Sequence, residues 1–468
     1  MGRLGRLGYA LVLALFFGCA TVDSDRVVSR PCPTLLAVAL PSPESAAVAP
    51  TNVLPPQVMA DISADLLRIY VEKPIERVQP FADEILGASV TGLGTTRARA
   101  TAELVPCETY AAFDLIAAGR TWTEAVSRKR PVSLCTRGVV NFTVRTRVYF
   151  DRAGFRNDTP IAAARNQTDL TAVYSDLARI LDPIILRVAK RQYETSKPQA
   201  LEIADRRAEQ RYVEQTAIDL APEISKGNES FARRLADLEK RDLRIDSLRT
   251  RSSATAVTAS ATLAGFPQPA SPAPSYATPG DLGLRIHEGV LTTLAARELA
   301  GKTLTPEKIN ARIEELTGKK RAAPKDSKPF SVSFPKTAPL SVRFDKHKIV
   351  TVAHVESFTS DGEDYRGVDV TTRYRLVRTA TGFFAVREAI EVYPPGYVPG
   401  SGKRLSARQL ATARVMKDRL AEALQEQIPL GELKLTGDFE KLGPLGVVAT
   451  GTQSGWLLIA WKRKVTGP

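Results

Sequence analysis

The chain has 468 residues, 43% of them hydrophobic and 25% charged. A prior of about 150 residues per domain allows two or three domains, and the composition excludes wholesale disorder. After the N-terminus no apolar run reaches the roughly 18 residues of a membrane-spanning helix. Three His and four Cys in the whole chain argue against a His-rich metal site or a thiolate cluster.

Met1 to Gly18 holds Arg3 and Arg6, then an apolar stretch from Tyr9 to Phe17, then a small residue before Cys19. A charged start, a short apolar core and a small residue before the cut are the parts of a secretory signal. Leu15-Phe16-Phe17-Gly18-Cys19 resembles the lipobox of bacterial lipoproteins, with Phe17 standing where a small residue is usual. The resemblance implies that Cys19 is acylated and becomes the mature N-terminus, so that a lipid holds the chain to a membrane. A plain signal peptide or an uncleaved anchor is the alternative. Ala20, rather than an acidic residue, after the cysteine favours the outer membrane by the same resemblance. The body then lies in the periplasm or at the cell surface.

Residues 20–56 carry seven prolines among Ala, Val and Ser, so 19–56 reads as a tether. Fully extended at about 3.1 Å per residue, it reaches roughly 115 Å.

The formal charge is +14, and loss of Arg3 and Arg6 with the signal lowers it by two to +12. That excess suits anionic partners such as phospholipid head groups or acidic polysaccharide. No basic arm with interleaved aromatics is present, so nucleic acid is not expected as a partner. Cys107 and Cys135 could form a disulfide in an oxidising envelope, closing a loop worth about 3.6 kcal/mol in the chain-entropy model. Two buried thiols are the alternative. Cys32, between two prolines, is left unpaired or intermolecular.

The Pro/Ala/Ser-rich stretch 265–280 reads as a linker between an α+β domain at 57–264 and a second at 281–468. Each half opens with a helical stretch, Val58 to Ile75 and Ile286 to Leu299, before long strands. Val140, Phe142, Val144, Val148 and Phe150 alternate with Asn141, Thr143, Arg145 and Arg147, a strand with one wet face. Val368, Val370, Tyr374 and Leu376 alternate with Asp369, Thr371, Arg373 and Arg375 in the same way, and Thr379–Gly382 turns the chain into a partner strand from Phe383. Shorter strands are expected at 97–104, 112–118, 254–263, 341–344, 349–358 and 456–461. A helical insertion spans about 170–241, broken near Asp182-Pro183 and Ser196-Lys197-Pro198. Ser406 and Gln409 form a capping box ahead of Leu410, Ala413, Met416 and Leu420. Thr305-Pro306 opens another helix that Gly318 stops. The expected fold class is therefore α+β, two domains of long antiparallel strands packed against helices.

Tests for catalytic or metal chemistry return little. Gly396–Arg404 has the wrong spacing for a phosphate loop, and Arg404 stands where Ser or Thr must meet Mg²⁺. His287-Glu288 lacks a second imidazole one turn on, and His347 with His354 lacks clustered carboxylates. Gly92-Leu93-Gly94 lacks the third glycine of a dinucleotide loop, and Asp361–Asp364 suits a hairpin tip better than a calcium loop. No catalytic residue, metal or cofactor is assigned, and a non-enzymatic role is expected.

The segments Leu284–Leu294, Val392–Gly396, Gly402–Ser406 and Gly455–Trp461 resemble a group of uncharacterised secreted or lipid-anchored bacterial proteins. More loosely, a helix followed by long strands in each half resembles the tubular lipid-binding fold, in which a curved sheet wraps a helix beside an apolar groove. That resemblance implies a lipid or other amphiphile as ligand, with Val140, Phe142, Val144, Val368, Val370 and Tyr374 as candidate groove residues. A structural protein spacing the membrane from another envelope protein or polymer is the competing expectation.

Overall fold

The computed structural model describes residues 54–175, 182–274, 280–308, 311, 330–360, 362–435 and 437–464. The signal segment, Cys19, Cys32, nearly all of the tether, Asp361 and most of the expected helix from Thr305 to Gly318 lie outside them.

The chain runs through β1 (Val58–Ser63), α1 (Ala64–Val71), β2 (Lys73–Ile85), β3 (Ala88–Val105), β4 (Ala111–Lys129) and β5 (Val132–Asp151). It continues through β6 (Gly154–Asn157), β7 (Ile161–Ser175), α2 (Asp182–Glu239), β8 (Ile245–Ser252), β9 (Ala256–Leu263), β10 (Leu282–His287) and α3 (Glu288–Leu299). There follow β11 (Thr303–Leu304), β12 (Phe330–Ser333), β13 (Leu340–Asp345), β14 (Lys348–Ser360), β15 (Glu363–Thr379) and β16 (Gly382–Tyr393). The last elements are α4 (Ala407–Ala423), β17 (Gln427–Pro429), β18 (Leu445–Gln453) and β19 (Trp456–Arg463). The fold is mixed α and β but predominantly β, and every strand pair named below is antiparallel.

A six-stranded central sheet has the order β18-β19-β10-β1-β9-β8. Three strands from before residues 265–280 and three from after them thus form one continuous sheet, joined where β1, paired to β9 on one edge, pairs to β10 on the other. The segment between them lies against this sheet: the Gln57 amide donates to the Phe266 carbonyl, the Trp456 indole to that of Ser271 and Arg285 to that of Pro274. Phe266 is buried. One apolar core runs from α1 and the end of α2, through β1, β9 and β10, to Leu433, Phe439 and Leu445.

Two further sheets curl away from the central one. The second-half sheet, β11-β12-β14-β15-β16-β17 with β13 on β14, is filled from inside. Met416 of α4 is fully buried among Phe330, Phe358, Val368, Val370, Ile390 and Val392. The Ser406 capping box forms as expected. Leu410, placed on the same face from the sequence, is instead 55% exposed. The first-half sheet runs β2-β3-β4-β5, and the far edge of β5 is shared by β6 and β7.

Several sequence expectations are corrected. Val58–Ser63 is a strand and not the start of a helix, because pairing on both edges outweighs its local preference. Ile286 and His287 likewise end β10, and α3 begins at Glu288. Residues 170–175 belong to β7, and the insertion is one unbroken helix of 58 residues. It passes straight through Pro198, where the Ser196 hydroxyl donates back to the Gln192 carbonyl. At 1.5 Å per residue this helix is about 87 Å long. The Cys107–Cys135 disulfide is also absent, both thiols being free. The β4–β5 register sets Ala111 opposite Phe150 and Val126 opposite Cys135. Cys107 sits beyond the Ala111 end, so about 15 residues of strand, roughly 50 Å, separate the thiols, whereas a disulfide needs Cα atoms within about 7 Å.

Candidate ligand cavity

The first-half sheet has two free edges, β2 and β7, and α2 lies between them as the missing stave. Against β7 the contact is made to the backbone. Asp205 accepts hydrogen bonds from the amide and side chain of Asn166 at 2.7 and 2.8 Å, and Glu209 accepts from the Ala164 amide at 3.1 Å. Acidic side chains thus satisfy edge donors that would otherwise invite another strand. Against β2 the contact is between side chains. Arg77 pairs with Asp219 at 3.1 Å and Arg211 with Asp83 at 2.8 Å, while the Arg211 guanidinium lies 5.2 Å from the Phe81 ring centre. Farther along, Asn228 brackets the backbone of Phe155 with one accepted and one donated bond, and Phe231 packs edge-on against Phe150.

The sheet and the helix border a partly open cavity of about 1460 Å³. Its existence follows from residue size. The inner positions of β3 include Ala88, Val90, Gly94, Thr96 and Ala98, and those of β4 include Ala117, Thr121, Thr123, Ala125 and Ser127. Side chains this small on a concave face leave volume that one helix does not fill, unlike the large side chains around Met416. Gly92 is required here: a Cβ on it would stand 2.4 Å from the Glu124 carbonyl oxygen and 2.6 Å from the Phe81 ring.

One polar chain crosses the interior. The Tyr212 hydroxyl lies 2.8 Å from that of Thr121, which lies 2.8 Å from that of Thr96. Burial pushes the Tyr212 phenol upward in pKa. Basic residues appear at the hairpin end, where Lys129 and Arg130 line the cavity and the Lys129 ammonium donates to the Leu86 carbonyl at 3.0 Å.

The structure separates the six candidate groove residues. Val140, Phe142 and Val144 lie together on β5, pack on Ala164 and Ala208, and form part of the cavity wall. Val368 and Val370 are ordinary core beneath Met416. Tyr374 packs with Phe344, Leu376 and Leu457 where the second-half sheet meets the central one. The β3 and β4 positions and the helix face at Ala204, Ala208 and Tyr212 were missed as a site. The available signal was a period-two run of Gly, Ala, Ser and Thr, which marks a hollow rather than a core. Gly92 and Gly94 belong to that run, inside β3.

The other motifs resolve as structure. Gly396, Gly400 and Gly402 have positive φ and open space around them, as in a surface loop. His287 caps α3 by accepting from the Gly289 amide, and burial lowers its pKa. His354 bonds Asp369 at 2.6 Å, while His347 lies in the β13–β14 turn. Among the described residues no group of three or more His, Cys, Asp or Glu could hold a metal ion. Among the same residues no helix is long and apolar enough to cross a membrane.

No protein-family model and no curated protein matches the chain. Among solved structures it is similar to one titled "Crystal structure of lipopolysaccharide binding protein", at 9% identity and a TM-score of 0.35, over 89% of this chain and all of the other. A likeness at that level carries no functional argument, and the reading below rests on the cavity.

Proposed function

We propose that the protein binds a lipid or another long-chain amphiphile inside the first-half sheet. The observation that carries this reading is the unfilled cavity of about 1460 Å³ between that sheet and α2, walled chiefly by small and apolar side chains. Small-molecule sites typically measure about 300–1,000 Å³, so this one suits a larger guest. The apolar wall supplies the driving force, at about 25 cal/mol per Å² of apolar surface removed from water. The lipobox-like Cys19 and the proline-rich stretch support a lipid-anchored body in the cell envelope, within reach of such ligands.

The test is native mass spectrometry of full-length chain carrying Cys19→Ser, purified without detergent. A co-purifying amphiphile near one per chain is expected. Ala98→Phe with Ala125→Phe, which fills the cavity from two strands, should remove it while leaving the fold intact by circular dichroism. A bare mass that stays bare after incubation with phospholipid and fatty acid would exclude the reading.

A further inference from the structure

The two seams along α2 are built differently, and the difference identifies how a guest reaches the cavity. On the β7 side the helix follows its strand in the chain, and Asp205 and Glu209 hold backbone amides. Ala164 and Ala208 are buried in this seam, at 6% and 5% exposure. Bonds from charged groups to backbone donors in a closed seam are strong.

The β2 seam is held by Arg77–Asp219 and Arg211–Asp83. Three of these four side chains are between 37% and 48% exposed. Exposed pairs of this kind are weak and screened by salt. The cavity also reaches this seam, since Arg77, Phe81 and Asp83 line it from β2 and Arg211, Ile218 and Asp219 from α2. Val78 and Ile218 line the same cavity while remaining 60% and 65% exposed. A side chain that both walls a cavity and faces solvent stands at an opening.

Resting on the proposed lipid-binding role, we infer that the guest enters and leaves sideways between β2 and α2. The two Arg–Asp pairs are the latch, and the β7 side is the hinge. Opening this seam leaves the long strands paired and the helix attached. The chain then slides in along its length, with Val78 and Ile218 as the first apolar surface it meets.

The experiment uses full-length protein with Cys19, Cys32, Cys107 and Cys135 replaced by Ser. Arg77→Cys and Asp219→Cys are added and joined by a bismaleimide with a reducible spacer. The probe is 11-(dansylamino)undecanoic acid, whose fluorescence rises on transfer to an apolar site. Uptake by the joined protein should be at least about tenfold slower than before joining, as for a gated site, and should recover when the spacer is cleaved. The same linker on the outer face of the sheet, between the paired positions Ser89→Cys and Arg128→Cys of β3 and β4, should leave the rate unchanged. Equal rates before and after joining the seam, or equal slowing by the outer-face linker, would overturn the side entrance. Absence of uptake by the unlinked parent would overturn the cavity reading itself, and the entrance with it.

Discussion

Tyr212 of α2 lies nearly flat against Phe142 of β5, with ring centroids 4.1 Å apart and planes 19° from parallel. Its hydroxyl meets Thr121 of β4 at 2.8 Å, so one side chain joins the helix to two strands across the cavity. The stack and the bond separate by mutation. Tyr212→Phe keeps the ring and should cost about 1 kcal/mol. Tyr212→Ala should cost about 3 kcal/mol and loosen α2 from the sheet. Urea unfolding of both variants measures the difference; equal losses would assign the whole effect to the hydroxyl.

Asp61 of β1 and Arg285 of β10 form an ion pair at 2.6 Å inside the central sheet, each side chain less than a tenth exposed. Thr258 donates a further bond to Asp61 at 2.7 Å. Asp61→Asn leaves the guanidinium buried without its counter-charge and should destabilise the protein by about 3–5 kcal/mol. A loss below about 1 kcal/mol in denaturant unfolding would mean that water reaches the pair.

Asp114 of β4 gives the acid limb of stability a specific origin. The Arg147 guanidinium, at 2.9 Å, holds its carboxyl below the ordinary value of 3.8, against the opposing effect of burial. A depressed folded value means that the unfolded chain takes up the proton more readily. The contribution is therefore full above the unfolded value and is lost as pH falls through the folded one. Asp114→Asn should lower Tm clearly at about pH 6, and the gap from wild type should close below about pH 4. A gap independent of pH would point to packing rather than charge.

Cys107 and Cys135 sit near opposite ends of the long strands. Peptide mapping without reductant should show no bond between them, and replacing both by Ser should change stability by no more than about 0.5 kcal/mol. A linked peptide in folded, monomeric protein would contradict the β4–β5 register.

What the sequence made legible was set by how sharply each segment separates its faces. Val140 to Phe150 alternates large apolar with polar residues, and it is a strand as read. Ser406 and Gln409 named their own helix start. β2 and the part of β3 before Arg97 escaped notice because Gly92, Gly94 and Thr96 carry little apolar contrast; their inner face borders empty space. The strand β1 was hidden for the opposite reason. Val58, Met59, Ala60 and Ile62 are buried on both faces, so no alternation survives to distinguish strand from helix. The continuity of α2 through Pro198 could not be read locally, because the packing that supports the helix is supplied by β7. For the cavity, three of the six candidate wall residues were found by apolarity, while the positions that make it hollow carry the smallest side chains.

The central sheet, built half from strands before residues 265–280 and half from strands after them, also fixes an order of assembly. β1 is among the first strands to be made, yet one of its two edges waits for β10, and β10 in turn waits for β19 near the end of the chain. Until those residues arrive, a nearly complete N-terminal half presents an unpaired, apolar strand edge, the kind of surface that another copy can occupy. A chain truncated within residues 265–280 should therefore behave as an aggregating fragment rather than as a free-standing half. Until the last strand is made, the first half is the part that needs a chaperone's protection.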